Sequence, residues 1–411
     1  MGMRGLYCKE LCARGTGLVL FFRPFYGACD FLSESIQWSD IDELEELLMS
    51  AHLKTLSSLA LAQQLGVETV VMNAPTRTLE SAQLVVSLSE AGGLGVICAI
   101  GMTPQALEQR VNEVRSLTDR PFAIALAIPS RARALPEAYE DAVLESLIPV
   151  GEALELDLKA IYEEAPSEEA AFEALFDCAL SLGPKAMISC FGGFREPHAE
   201  RLEAAQVLNI GVVTSLREAK VLRFAGCDAL IVQGIEAGGP SMAFESETYE
   251  RMGLVSLITQ CSLVKDFPLI AWGGVTTPTE LEALRVLGVS GVALEGPFLM
   301  SEAVSLPSPT RYLLQSGGLE HTCEVRGLYG VPTRVLRTAF TENLPTEALT
   351  TPLSYRLKRV FWAINDRARS RGDSVCSAVE IGHEIGVLRE KTMYEIYSIF
   401  AQKLLNLSRE P

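Results

Sequence analysis

Few side chains on this chain could carry chemistry. The histidines are His52, His198, His321 and His383, and none closes an apolar run of the kind that ends a buried strand. Each is expected to be an isolated surface imidazole. No Ser-His-Asp or Cys-His arrangement follows from their order or spacing, and the zinc signature His-Glu-x-x-His is absent. The 10 cysteines are scattered without a Cys-x-x-Cys pair. Cys8 and Cys12 would share a helix face, yet no His or third Cys stands at ligand spacing. Buried, reduced thiols and no metal centre are expected, and a cytoplasmic compartment fits. The stronger signal is glycine. Gly92-Gly93-Leu94-Gly95, Gly192-Gly193, Gln233-Gly234-Ile235-Glu236-Ala237-Gly238-Gly239 and Gly273-Gly274 recur beside apolar runs. Without a Cβ, backbone N–H groups can approach a bound phosphate, and a helix N-terminus adds a favourable partial charge. Glu236 lies inside the longest of these turns, as a site carboxylate or as an acceptor that organises the loop.

The elements that must position those turns follow a regular rhythm. Near-continuous apolar runs over Thr69–Ala74, Gly95–Ile100, Phe122–Ile128, Lys185–Cys190, Asn209–Val213, Asp228–Gln233, Pro268–Trp272 and Ser290–Leu294 read as parallel strands buried on both faces. Helical signals fall between them. Thr103-Pro104 precedes Leu107, Val111 and Val114, and Thr277-Pro278 precedes Leu281, Leu284 and Leu287, each a cap followed by proline in the first turn. Ser215 to Phe224 spaces its apolar residues similarly. Strand and helix alternating in this number predict an α/β fold, a (β/α)8 TIM barrel, over residues 65–344. The Gly pairs after the fourth, sixth and seventh strands then fall at the C-terminal rim, where such barrels place their sites. The Gly92 turn, which precedes the second strand, reads instead as a helix end. Residues 1–64 form an N-terminal extension, with a helix capped at Ser39-Asp40 and carrying Ile41, Leu44 and Leu48. A helical insertion spans about 130–182; its acidic stretch Glu137–Glu173 reads as solvated. Residues 345–411 read as C-terminal helices. Their stripes Leu357, Val360, Phe361, Ile364 and Met393, Tyr397, Phe400, Leu404 are expected to pack on the barrel or on a second subunit.

Composition sets the outer limits. At 48% hydrophobic and 21% charged over 411 residues, the chain can build a core and is not a disordered polymer. A formal net charge of −17 argues against nucleic-acid and anionic-membrane partners. The longest apolar runs, Leu18–Phe22 and Ala123–Pro129, fall far short of the ~18–20 residues of a membrane span.

With these motifs in order, the chain resembles the FMN-dependent nitronate monooxygenases, formerly 2-nitropropane dioxygenases, and their relatives the flavin enoyl-acyl-carrier-protein reductases. The resemblance runs from Leu65-Gly66-Val67-Glu68 and Asn73-Ala74-Pro75 through Glu90-Ala91-Gly92-Gly93-Leu94-Gly95 and Leu117-Thr118-Asp119-Arg120-Pro121-Phe122. It continues through the Gln233–Gly239 turn, Trp272-Gly273-Gly274-Val275, Gly330-Val331-Pro332-Thr333-Arg334 and Gly382-His383-Glu384-Ile385-Gly386. It implies an FMN whose phosphate lies near Gly238, Gly239, Gly273 and Gly274, with Glu295-Gly296 at the final phosphate turn. The isoalloxazine would lie near Ala74, Pro75 and Gln233, with Asn73 and Thr76 in the same first turn. It also implies a small-molecule substrate, oxidised with O2 from alkyl nitronate to carbonyl compound and nitrite; a homodimer is a separate expectation, in which the C-terminal stripes meet a second subunit. The reductase branch instead passes hydride from a nicotinamide to an enoyl thioester. Departures cluster at the site: Phe191 and Pro240 stand where the two branches keep a catalytic His, Ala125 replaces an Asn, Thr76 a Met, and Glu295-Gly296 the usual Gly-Thr. A carboxylate about 5 Å from a phosphate charge costs roughly 3 kcal/mol at an effective dielectric near 20. Losing a proton-transferring His costs roughly 10²–10⁴ in rate, which leaves a third expectation, a barrel that binds without turnover.

Overall fold

In the computed structural model, residues 12–14, 17–19, 58–129, 137–244, 251–264, 267–326, 328–342, 353–373 and 377–406 are described. The apolar runs form a parallel sheet of 8 strands. These are β1 (Val71–Asn73), β2 (Gly95–Cys98), β3 (Phe122–Ala127), β4 (Ala186–Cys190), β5 (Leu208–Val213), β6 (Ala229–Gln233), β7 (Leu269–Trp272) and β8 (Val289–Leu294). Neighbours run β1-β8-β7-β6-β5-β4-β3-β2. The ring closes between β1 and β2 through a parallel bridge from Met72 to Leu94. Asn73 reinforces this seam: its Oδ1 accepts from the Val96 N–H at 2.7 Å and its Nδ2 donates to the Val96 carbonyl at 2.9 Å. Every residue of β7 and β8 is buried, which is why these strands carry no polar alternation.

The connecting helices begin where their caps say. Thr103 accepts from the Ala106 N–H at 3.2 Å to start Pro104–Arg115, and Ser215 accepts from Glu218 at 3.2 Å to start Leu216–Phe224. Thr277 and Glu280 form a reciprocal capping box that starts Pro278–Val286. Each cap is worth about 1 kcal/mol, and together they fix where the rim turns must end.

Between β3 and β4 lie helices Glu137–Ala153, Leu158–Glu163 and Glu168–Ser181. The last is not solvated all round. Phe172, Leu175, Phe176 and Ala179 recur at helical spacing and are buried, so one face joins the core while the glutamates stay outside. After the barrel, Tyr355–Ser370 and Met393–Asn406 are helical. Their apolar stripes are buried, and Met393–Asn406 lies against Ala82–Ala91 and Pro278–Val286. The chain between those two helices departs from the helical expectation for 345–411. Residues 377–388 contain no helix and cross the rim, bonding to a three-stranded antiparallel sheet made of Thr322–Val325, Thr333–Leu336 and Gly239–Pro240. Residues 1–55 form a separate unit, in which Cys12–Arg14 pairs antiparallel with Gly17–Val19. The helix expected from Ser39 lies outside the described residues, as does His52.

Candidate functional site

The turns after β6, β7 and β8 bring backbone N–H groups together at one end of the barrel. Gly273 and Gly274 are both left-handed, at φ 119° and 69°, a pair of conformations that favours glycine at each place. Carboxylates from the chain itself meet these amides. The Gly238 N–H donates to Glu295 Oε2 at 3.0 Å, and Trp272 Nε1 donates to the same oxygen at 3.2 Å. The backbone amides of Gly296 and Gly274 face the carboxyl of Glu384 and favour its charged form, although burial outweighs them. A Cβ on Gly238 would stand 2.0 Å from Glu295 Oε1 and 2.5 Å from the Ile381 carbonyl carbon, so only glycine fits beneath the two acids.

Both carboxyls are buried, with Glu295 1% and Glu384 2% exposed. Burial pushes Glu295 up to about 7, helped by the charge of Glu380 and opposed by the Trp272 and Gly238 hydrogen bonds. Burial, and then the charge of Glu295, pushes Glu384 well above the usual carboxylate range. Glu295 Oε1 and Glu384 Oε2 have no hydrogen-bond partner among the described residues. A buried acid in this position is driven to keep its proton near neutrality.

Beside this nest lies a second buried layer. Glu380 Oε2 accepts from the Thr78 N–H at 3.0 Å and the Thr78 hydroxyl at 3.3 Å, while Tyr329 donates its hydroxyl to Oε1. Arg77 reaches Asp366 with 2.6 and 2.7 Å contacts and lies over the Trp362 ring at 5.2 Å. Burial raises the Cys98 thiol to about 12, which rules it out as a nucleophile at neutral pH.

The other residues singled out from the sequence have structural tasks. Asn73 spends both ends of its amide on the barrel seam. Gln233 spends both of its own on the loop that follows it, donating to Pro240 O at 2.9 Å and accepting from the Met242 N–H at 2.8 Å. Ala74 bonds through its N–H to Leu294 O at 2.8 Å. The Pro75 carbonyl accepts from the Cys98 thiol at 3.6 Å, and the buried Thr76 Oγ1 lacks a partner among the described residues. Gly239, at φ 73°, pairs with Arg334 in the small sheet. Glu236 is the loop organiser: both its oxygens accept from the Leu254 N–H, at 3.1 and 2.9 Å, at the start of helix Leu254–Cys261. A shallow recess with room for about one water molecule is lined by Gln233, Gly234, Ala237, Ser241, Arg251 and Met252, among others.

Proton carriers are scarce here. Phe191, left-handed at φ 63°, ends β4 with its ring 6.3 Å from that of Tyr329, and Pro240 is buried in the small sheet. His198 pairs with Glu173 at 3.0 Å outside the barrel, and His321 pairs with Glu320 at 3.3 Å. His383 belongs to the rim after all. Its N–H donates to Glu236 O at 2.8 Å, and burial and the charge of Arg334 depress its pKa. Sequence reasoning missed Glu384, Glu380 and Tyr329 as site residues. The available signal was Gly382 between Glu380 and Glu384: a Cβ there would lie 2.0 Å from Glu236 O, so this glycine marks a close crossing of two backbones.

The FMN implied by the sequence resemblance is tested by its phosphate. Donors suited to an anion converge as expected, but Glu295 already holds the Gly238 N–H and the Glu384 carboxyl lies against the Gly274 and Gly296 amides. A phosphate does not fit this nest as it stands. Among the described residues no group of His, Cys, Asp and Glu could hold a metal, and no helix is long and apolar enough to cross a membrane.

A family model described as nitronate monooxygenase matches residues 59–393. A probable nitronate monooxygenase of Staphylococcus saprophyticus is 30% identical over 266 residues, covering 64% of this chain and 74% of that protein. One from Staphylococcus aureus strain Newman is 32% identical over 248 residues, covering 59% and 68%. Among solved structures, nitroalkane oxidase from Streptomyces ansochromogenes superposes with a TM-score of 0.71 at 23% identity, over 85% of this chain and 99% of that one. FabK from Thermotoga maritima superposes with 0.65 at 20% identity, over 86% and 97%. At those identities the likeness of the structures shows the fold alone.

Proposed function

Because the chain belongs to the nitronate monooxygenase family, a family of flavin oxidoreductases, we propose that it oxidises alkyl nitronates with O2 to a carbonyl compound and nitrite. The observation that carries this reading is the gathering of the Gly238, Gly274 and Gly296 turns around the buried carboxyls of Glu295 and Glu384 at the rim. An anion nest after the last strands is where a barrel of this kind holds a phosphorylated ligand. FMN was the expected form of the flavin. The filled nest argues against that form while leaving the flavin class in place.

The chain's own residues restrict the substrate. Neither Phe191 nor Pro240 can accept a proton, and burial holds the Cys98 thiol protonated. Neither family position carries a base, so the substrate is taken to arrive as the nitronate anion; among the described residues the His383 imidazole, held neutral at the rim by burial and Arg334, is the alternative proton acceptor. Phe191, Tyr329 and Trp362 form an aromatic run beside Glu380, with successive ring centroids 6.3 and 5.9 Å apart, and keep water from the buried acid. The reading takes the chain as a cytoplasmic homodimer with a small-molecule substrate and no nucleic-acid or membrane partner.

The test is turnover of propionate-3-nitronate with O2 uptake by protein supplied with flavin, against crotonyl thioester with NAD(P)H. Nitrite release supports the proposal; thioester reduction instead assigns the enoyl-reductase branch. A second reading, a barrel that binds without turnover, is favoured by the acids in the nest. Absence of both activities from a protein that takes up no flavin establishes it.

A further inference from the structure

We infer that Glu295 and Glu384 stand in for a cofactor phosphate, so that this chain's nest rejects phosphate-tailed flavins and takes a phosphate-free one, riboflavin. The inference rests on the flavin reading above and names the form of the flavin.

Four observations converge on it. The donors already face acids: Gly238 and Trp272 donate to Glu295, and the Gly274 and Gly296 amides face the Glu384 carboxyl. The space is also taken, since a single added Cβ on Gly238 would stand 2.0 Å from Glu295 Oε1, and one on Gly296 would stand 3.0 Å from Glu384 Oε2. Glu384, moreover, does not hang from a surface loop. Residues 377–388 are anchored along their length. The Ala378 N–H donates to Asn365 Oδ1 at 2.7 Å, Leu336 to Val379 O at 2.8 Å, His383 to Glu236 O at 2.8 Å and Gly386 to Leu314 O at 2.9 Å. Swinging the acid aside means breaking those bonds together. The unused atoms point the same way. Glu295 Oε1 and Glu384 Oε2 are buried acceptors without a partner among the described residues. The terminal hydroxyl of a ribityl chain donates a hydrogen bond to such an oxygen, whereas a phosphate dianion has no hydrogen to give and repels an ionised carboxylate. Above about pH 7, where Glu295 ionises, such a pair of charges at about 5 Å and an effective dielectric near 20 weakens binding by about two orders of magnitude.

The experiment titrates the full-length, flavin-free protein separately with FMN and with riboflavin, following quenching of flavin fluorescence. Wild type is expected to bind riboflavin at least about tenfold more tightly than FMN. With both titrations run at pH 9, above the raised pKa of Glu295, the isosteric variant E295Q/E384Q lacks the carboxylate charge that wild type carries there. It is expected to gain about 100-fold in FMN affinity, with riboflavin affinity changing far less. Circular dichroism confirms that the variant is folded, and E384Q alone serves if the double variant is not. Wild type binding FMN as tightly as riboflavin overturns the inference and leaves the flavin reading standing. So does a folded variant whose preference between the two flavins is unchanged. Binding of neither flavin by wild type or variant overturns both.

Discussion

Raising the pH through neutrality should loosen this fold by an amount traceable to Glu295. Its carboxyl is raised from an ordinary 4.5 to about 7 by burial. Between those values the folded protein holds a proton that the unfolded chain has released, so stability falls as pH rises. The contribution is intact below about 4.5, declines through the interval, and is fully lost above about 7. The shift of about 2.5 units corresponds to roughly 3 kcal/mol, a substantial part of the 5–15 kcal/mol that holds a typical domain together. Glu384, pushed up by burial and by Glu295, acts in the same direction. Guanidinium unfolding of wild type and Glu295→Gln at pH 5 and pH 9 isolates the effect from carboxylates elsewhere in the chain, and the difference includes the relief of Glu384, which Glu295 pushes up. Wild type should lose about 3 kcal/mol more than the variant across that range. Parallel pH slopes for the two proteins would show that Glu295 ionises normally and that the nest is not the dry, coupled site described.

Other perturbations probe the positioning elements and the missing base. Gly238→Ala forces a methyl between Glu295 and the Ile381 backbone and should cost about 3 kcal/mol or more, seen as a lowered unfolding midpoint that Glu295→Gly rescues only in part. Asn73→Leu strips the bonds to Val96 N–H and C=O at the seam. It should cost about 2–4 kcal/mol and speed hydrogen exchange at Leu94 and Val96 more than at β5 and β6; a uniform change would remove Asn73 from the seam. Phe191→His restores an imidazole at the end of β4, at a left-handed φ that histidine tolerates comparatively well. Neutral nitroalkane turnover should then rise by about 10²–10⁴ while nitronate turnover changes little. Equal changes on both substrates count against the pre-ionised substrate.

The barrel was legible because its signals are local. Strands buried on both faces must be continuously apolar, and Thr103, Ser215 and Thr277 announce helix starts within three residues of themselves. The glycine turns were legible for the same reason, and their convergence followed from the barrel. What the glycines hold was not. Glu295 could be flagged as a misplaced charge, but its partner Glu384 is brought in by residues 377–388, a segment with neither strand nor helix periodicity. Its path is set by contacts to Asn365, Leu336, Glu236 and Leu314, far away in the chain. Asn73 and Gln233 illustrate the same limit. A polar residue at a strand end looks like a ligand contact in sequence, and only the three-dimensional partners show whether its amide is already engaged.

The most direct measurement is hydrogen exchange at the Gly238 N–H in the flavin-free protein. If the chain's own acids fill the nest, this amide exchanges slowly without any ligand, adding FMN leaves it unchanged, and E295Q/E384Q alters it. Rapid exchange that becomes slow only when FMN is added would mean that the nest stands open for a phosphate, and the account would be wrong.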